Sequence, residues 1–194
     1  MRTLATAALC LIASPTVVAA PSADVRTAAY SCEAGVPFEP VTAVAGHTLP
    51  LRNAALLEFL GLDLYSAAVY APDDATTVDD VLDAQPKTLE IYYHRPVKAT
   101  QINRATEKAL ARNPTIDVAA LASQLEQLYA VARDVADGDR YRATHVNGAV
   151  TLELNGDVTA VIPGDDFARA FFGIWLSEHA LSLDLRDRLL SAGD

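Results

Sequence analysis

Cysteine is nearly missing from this sequence: Cys10 and Cys32 are the two present. They do not have metal-ligand spacing. The four histidines, His47, His94, His145 and His179, are scattered and never fall at i, i+4, so the paired helical ligands of a zinc enzyme are lacking too. No metal site is expected, and each histidine reads as a surface or internally satisfied side chain. Basic clusters are also lacking. Lys+Arg number 15 against 25 Asp+Glu, a formal net charge of −10. Such a chain is a poor partner for nucleic acid or for an anionic membrane surface.

The sequence has no Gly-x-Ser-x-Gly elbow, no Gly-rich phosphate loop and no dinucleotide fingerprint. Serine-hydrolase, nucleotide and nicotinamide chemistry therefore have no footing, and no cofactor is expected. Acidic pairs occur at Asp73-Asp74, Asp79-Asp80 and Asp165-Asp166. Neighbouring carboxylates usually point apart, and two of these pairs fall at expected helix starts, where capping accounts for them. No catalytic residue is assigned.

Long hydrophobic runs are missing as well. The run Leu4 to Ile12 is far shorter than the roughly 20 residues of a membrane-spanning helix. With Arg2 before it and Val18-Ala19-Ala20 after it, it reads as an export signal over residues 1–20. Cleavage is expected after Ala20, with Ala23 as a second choice. The expected location is periplasmic or secreted, with no stable membrane span after cleavage. Loss of Cys10 would leave Cys32 without an internal disulfide partner. Residues 21–37 read as a loose lead-in, and residues 38–194 as one domain, a size that fits the usual range.

What is present is a patterned α+β chain. Val41 to Leu51 has short β-compatible runs. Leu56 to Ala71 is the longest apolar segment of the mature chain, with Gly61 as a possible bend. Thr76-Thr77 with Asp79-Asp80 predicts a short helix reaching Ala84. Leu89, Ile91 and Tyr93 alternate with Thr88, Glu90 and Tyr92 in a strand from Lys87 to Arg95. Ala99 to Arg112 has helical spacing. Ile116 to Ala136 reads as a long helix closed by Gly138. Strands are expected at Tyr141 to Val146, Val150 to Leu154 and Val158 to Ile162, with Asn155-Gly156 as a hairpin turn. Phe167, Phe171, Ile174 and Trp175 share one face of a helix capped by Asp165 or Asp166. Ser182 caps a last helix, Leu183 to Leu190. The order does not alternate strictly, which favours an antiparallel sheet with helices over a parallel doubly wound fold.

Tyrosines stand in otherwise apolar strands: Tyr65, Tyr70, Tyr92 and Tyr93. An apolar ring with a hydrogen-bonding tip suits either an ordinary core or an apolar pocket with a few orienting groups. Tyr65, Tyr92 and Trp175 are taken as candidate ligand-binding residues. Arg52 joins them, because a guanidinium can fork onto a carboxylate.

The stretch LRNAALLEFLGLDLYSAAVY from Leu51 to Tyr70, then Gly138-Asp139, Asn155-Gly156 and IPGDDFARAFFGIWLS from Ile162 to Ser177, resembles the chalcone isomerase-like family. The likeness is clearest with its bacterial, exported branch and covers about Val41 to Leu190. It implies a large antiparallel sheet with helices layered on one face and a ligand cleft between them. Plant members cyclise chalcones, and related members bind fatty acids without catalysis. Both use an arginine toward a negatively charged ligand oxygen. In the ungapped match Leu57 stands where that arginine would be, and Arg52 lies five residues early. The enzymes' helical tyrosine and asparagine fall near Ile102 and Ala109, and a strand threonine near Tyr65. The resemblance thus implies a binding protein for a small amphipathic ligand such as a fatty acid. An isomerase acting on a chalcone-like enone and an interaction protein with a vestigial cleft are the alternatives.

Overall fold

The computed structural model describes residues 30–31, 36–83 and 86–191. Cys10, Cys32, the expected signal and most of the lead-in lie outside these. A two-stranded ladder, β1 (Tyr30–Ser31) with β2 (Pro37–Phe38), precedes the main sheet. The main sheet has seven strands: β3 (Val41–Val44), β4 (His47–Phe59), β5 (Leu62–Tyr70), β6 (Lys87–Tyr93), β7 (Arg140–Val146), β8 (Ala149–Leu154) and β9 (Asp157–Pro163). They pair in chain order, every pair antiparallel. This is the α+β antiparallel architecture that the non-alternating order of elements predicts.

Four connections explain that simple order. Ala45-Gly46, Leu60-Gly61, Asn147-Gly148 and Asn155-Gly156 each put both residues at positive φ, between 47° and 87°. Two-residue turns of that kind match the twist of the strands they join, so each returns the chain to its neighbour. The segment Leu56 to Ala71 is therefore the end of β4, a turn and β5, with Gly61 inside the turn rather than at a bend.

Among the described residues five helices are interspersed with the strands: α1 (Val78–Asp83) between β5 and β6, α2 (Ala99–Arg112) and α3 (Ala122–Val131) between β6 and β7, and α4 (Asp165–Leu176) and α5 (Leu183–Leu190) after β9. At the start of α1, the Thr77 hydroxyl accepts from the Asp80 N–H at 3.1 Å and the Asp80 carboxylate accepts from the Thr77 N–H at 2.8 Å, a reciprocal cap. Ser182 caps α5 by accepting from the Leu185 N–H at 3.2 Å.

The helix expected over Ile116–Ala136 is shorter at both ends. Before Ala122, the Asp117 carboxylate takes the Ala119 and Ala120 N–H groups and holds a turn. After Val131, Val135 pairs with Val97 as an antiparallel bridge, Asp134 accepts from the Ala99 N–H, and Asp139 accepts from the Ala136 N–H. Short acidic side chains thus offer the backbone partners that compete with the helical ladder. Gly138 closes no helix: it lies in the turn before β7, its N–H bonded to the Tyr93 carbonyl.

Strand alternation divides the sheet into two faces. Ala55, Tyr65, Ala67, Val69, Leu89, Ile91, Tyr93, Ala143 and Leu152 pack with Val81, Leu110, Leu125, Phe167, Phe171 and Leu185 from all five helices. The other face carries a smaller cluster of Val36, Phe38, Leu49, Ala68 and Tyr70 with no helix residue in it. The helices therefore layer on one face, and any slot between sheet and helices must be lined by the first set.

Candidate functional site

Residues two apart on a strand share a face, and this decides which tyrosines meet. Tyr65 on β5 is directly opposite Tyr93 on β6. Their rings pack edge to face at 6.0 Å. Trp175, near the end of α4, donates its indole N–H to the Tyr65 hydroxyl at 3.0 Å and stacks beside Phe171 at 5.4 Å. Leu57 on β4 is the other direct neighbour of Tyr65. The result is a closed slot, filled by the aromatic rings themselves, between the β4–β6 end of the sheet and the last turns of α4. It is lined by aromatic rings and carries hydroxyl and indole groups as its polar points.

Burial governs the chemistry of these hydroxyls. It raises the Tyr65 hydroxyl far above the ordinary tyrosine range, with the bond from Trp175 opposing. It raises Tyr93 likewise, and the hydroxyls of Tyr65 and Tyr141 add to the effect. Both stay protonated and neutral at any physiological pH. Since Tyr65 accepts from Trp175, its own hydroxyl proton is the donor that the pair has left to offer. The site can donate to a carbonyl or carboxylate oxygen. Leu57, Ile102 and Ala109, the positions that the resemblance assigns to catalytic groups, have apolar side chains. None of them supplies the cation or donor that a developing enolate needs.

Of the four candidate residues, the structure brings Tyr65 and Trp175 together. Tyr92 faces the opposite side of the sheet, with its ring 5.1 Å from His94 and 5.1 Å from the Arg140 guanidinium. Arg52 sits in an irregularity of the β4–β5 register between Leu51 and Asn53. It is five residues from Leu57, roughly 17 Å along an extended strand. Tyr93, not Tyr92, shares the sheet face of Tyr65. Its alternation with Leu89 and Ile91 carries that signal in the sequence.

Deeper between the helices lies a narrow apolar gap with a cavity volume of about 0 Å³, too tight for a water molecule. Phe171 forms a wall common to slot and gap, with Thr106, Leu110, Leu128 and Ile174 around it. Ligand pockets begin at roughly 300 Å³, so a chain-like ligand would have to part Phe171 and Trp175 to open this gap. A larger concavity of about 940 Å³ opens on the other side of α4. Its walls include Asp79, Asp117, Asp165, Arg169 and Glu178. A wide charged groove is unlike the enclosing, mostly apolar sites that bury small molecules.

One buried polar chain escaped sequence reasoning. Lys87, 1% exposed, donates to the Leu82 carbonyl at 2.6 Å and lies 3.1 Å from His145 Nδ1. His145 Nε2 is 3.0 Å from the Asp165 carboxylate at the start of α4. An ammonium is donor-only, so Nδ1 accepts and Nε2 carries the proton. Burial lowers the Lys87 ammonium to about 8, with Asp83 and Asp165 opposing. His145 is thus internally satisfied, as its isolation in the sequence suggests. It ties α4 to the sheet.

Among the described residues no three potential ligands cluster for a metal ion, and no helix is long and apolar enough to cross a membrane. No curated protein matches the sequence. Solved structures match in fold. One is a fatty-acid binding protein of Arabidopsis thaliana, with a TM-score of 0.65 at 14% identity, covering 80% of this chain and 92% of that one. At that identity the likeness bears on the fold alone. A family model described as chalcone isomerase-like matches residues 32–191, and with the sheet and helix layer that carry the slot, this places the chain in the chalcone isomerase-like family.

Proposed function

We propose that this chain is an exported member of the family's bacterial branch that binds a small amphipathic molecule, such as a fatty acid, without converting it. The observation that carries the reading is the Tyr65–Trp175 pair, in which the indole N–H is taken by the Tyr65 oxygen and the neutral Tyr65 hydroxyl is the donor left for a ligand, with Leu57 beside it. An apolar chain would displace Phe171 toward the gap, while its head would meet the Tyr65 hydroxyl. Catalysis of a chalcone closure needs stabilisation of an oxyanion, which these side chains supply weakly. The fatty-acid binding protein of similar fold supports the choice of ligand class. Native purification, solvent extraction and mass spectrometry test it: a fatty acid recovered at near one per chain is the expected result. Its absence, together with chalcone turnover, would support the isomerase. Mass spectrometry of the exported chain, expected to begin at Pro21, tests the export signal.

The narrow gap favours a second reading, in which the cleft is vestigial and the protein acts through its surface. Failure of every fatty acid to bind, with a folded chain, would select it.

A further inference from the structure

Beyond the Tyr65–Tyr93 pair, where β6 ends, β4 and β5 continue as a two-stranded ear. Two contacts steady its base: the His94 N–H to the Leu64 carbonyl and the Arg95 Nε to the Asp63 carbonyl at 2.8 Å. The tip is Phe59-Leu60-Gly61-Leu62. Phe59 is 63% exposed, Leu60 86% and Leu62 49%. A two-residue turn of this kind favours Asn-Gly or Gly-Gly, and Asn stands at the matching positions 147 and 155 of this same sheet. Here a leucine takes the left-handed position, at φ 54°, with its side chain in solvent.

From these observations we propose that the ear is a membrane-docking tip that seats its three apolar side chains in the interface of an uncharged lipid surface. Three arguments select that partner. The reach from Tyr65 to Leu62 is about 10 Å at strand rise, and interfacial segments sink roughly 5–10 Å. Below the tip, Glu58 and Asp63 face each other across the two strands, both exposed. These carboxylates stop deeper entry and, with a net charge of −10, disfavour an anionic surface. Three side chains that are 63%, 86% and 49% exposed offer far less apolar area than the roughly 800 Å² per partner of a standard protein interface, so a second copy fits poorly. The ear is also continuous with the slot, since Leu57 and Tyr65 form the pair next below Glu58 and Asp63. Exchange of an apolar ligand between slot and bilayer would need no passage through water. This role rests on the ligand-binding reading above, whereas the docking itself does not.

The test is flotation with vesicles of pure phosphatidylcholine and with vesicles containing one-third phosphatidylglycerol. It compares the chain from Pro21 onward with the variant Phe59→Ser/Leu60→Asn/Leu62→Ser in the same form. Neither protein carries the apolar Leu4 to Ile12 run, so their difference isolates the tip. The expected result is co-flotation of the parent chain with neutral vesicles, no gain from the anionic lipid, and partitioning lower by about tenfold or more in the variant. Leu60→Asn alone repeats the comparison should the triple variant fold poorly. Equal flotation of parent and variants, or none by the parent, would overturn the proposal. So would a parent dimer in sedimentation that the variant abolishes, since the tip would then be a protein contact. A fatty-acid titration in solution, without vesicles, judges the slot separately: docking with a silent titration leaves the tip standing and removes the ligand reading.

Discussion

The indole N–H of Trp175 and the hydroxyl of Tyr65 meet at 3.0 Å, joining residues 110 apart in the chain and tying the end of α4 to the centre of the sheet. Replacing Tyr65 with Phe removes the acceptor and leaves the indole N–H without its partner. A loss of about 1–3 kcal/mol is expected, read from urea denaturation at neutral pH. An unchanged midpoint would mean that water already serves the indole and that the pair does not hold the slot closed.

Lys87 predicts a specific pH dependence. Its ammonium is lowered to about 8 by burial, with Asp83 and Asp165 opposing and Arg169 adding to the shift, while His145 and the Leu82 carbonyl accept from it. Between pH 8 and its ordinary 10.5, the unfolded chain holds more protons than the folded one. The unfavourable contribution of this group is therefore complete below pH 8 and is relieved as pH rises. Relative to Lys87→Met, the parent chain should gain about 2 kcal/mol between pH 7.5 and 9.5. Above pH 10 the buried tyrosines Tyr65 and Tyr93, both shifted upward, act in the opposite sense, because unfolded tyrosine ionises first. Parallel pH curves for parent and variant would contradict the buried-lysine account.

Leu60 gives a prediction in which stability and surface activity part. With 86% of its surface exposed and φ at 54°, it packs on little and strains the backbone. Leu60→Asn should raise stability by about 1 kcal/mol while weakening association with neutral vesicles. A loss of stability on thermal denaturation would show that the leucine packs on its neighbours after all.

Leu57 is the position where a cation would restore the family pattern. Leu57→Arg should favour a fatty acid over the alcohol of the same chain length by about tenfold relative to the parent. Competition titrations measure the ratio. No change in the ratio would place Leu57 outside the ligand's reach.

Much of the fold is written in periodicity. The alternation of Leu89, Ile91 and Tyr93 and the Asn155-Gly156 turn predict their elements, and Ser182 predicts α5. The turn at Leu60-Gly61 is harder to read, because leucine hides a conformation that asparagine advertises. The over-long helix at Ile116–Ala136 has a similar cause: its apolar stripe continues past both ends, but Asp117, Asp134 and Asp139 divert the backbone there. At the site, Tyr65 and Trp175 are legible as amphipathic aromatics. The choice of Tyr92 over Tyr93 turns on strand parity, and the place of Arg52 on a register irregularity that no local pattern announces. Lys87 is hidden for another reason. A lysine at a strand start reads as solvated, and only the packing of α1, α4 and β7 around it makes it buried.

Trp175 is the single tryptophan of the chain and part of the proposed slot, so its fluorescence reports on that slot directly. Titration with palmitate below its micellar concentration should give a saturable change in emission at one ligand per chain, lost in Phe171→Trp/Trp175→Phe, where the probe moves and the Tyr65 bond is gone. A flat titration, with calorimetry also showing no heat of binding, would contradict the ligand-binding account.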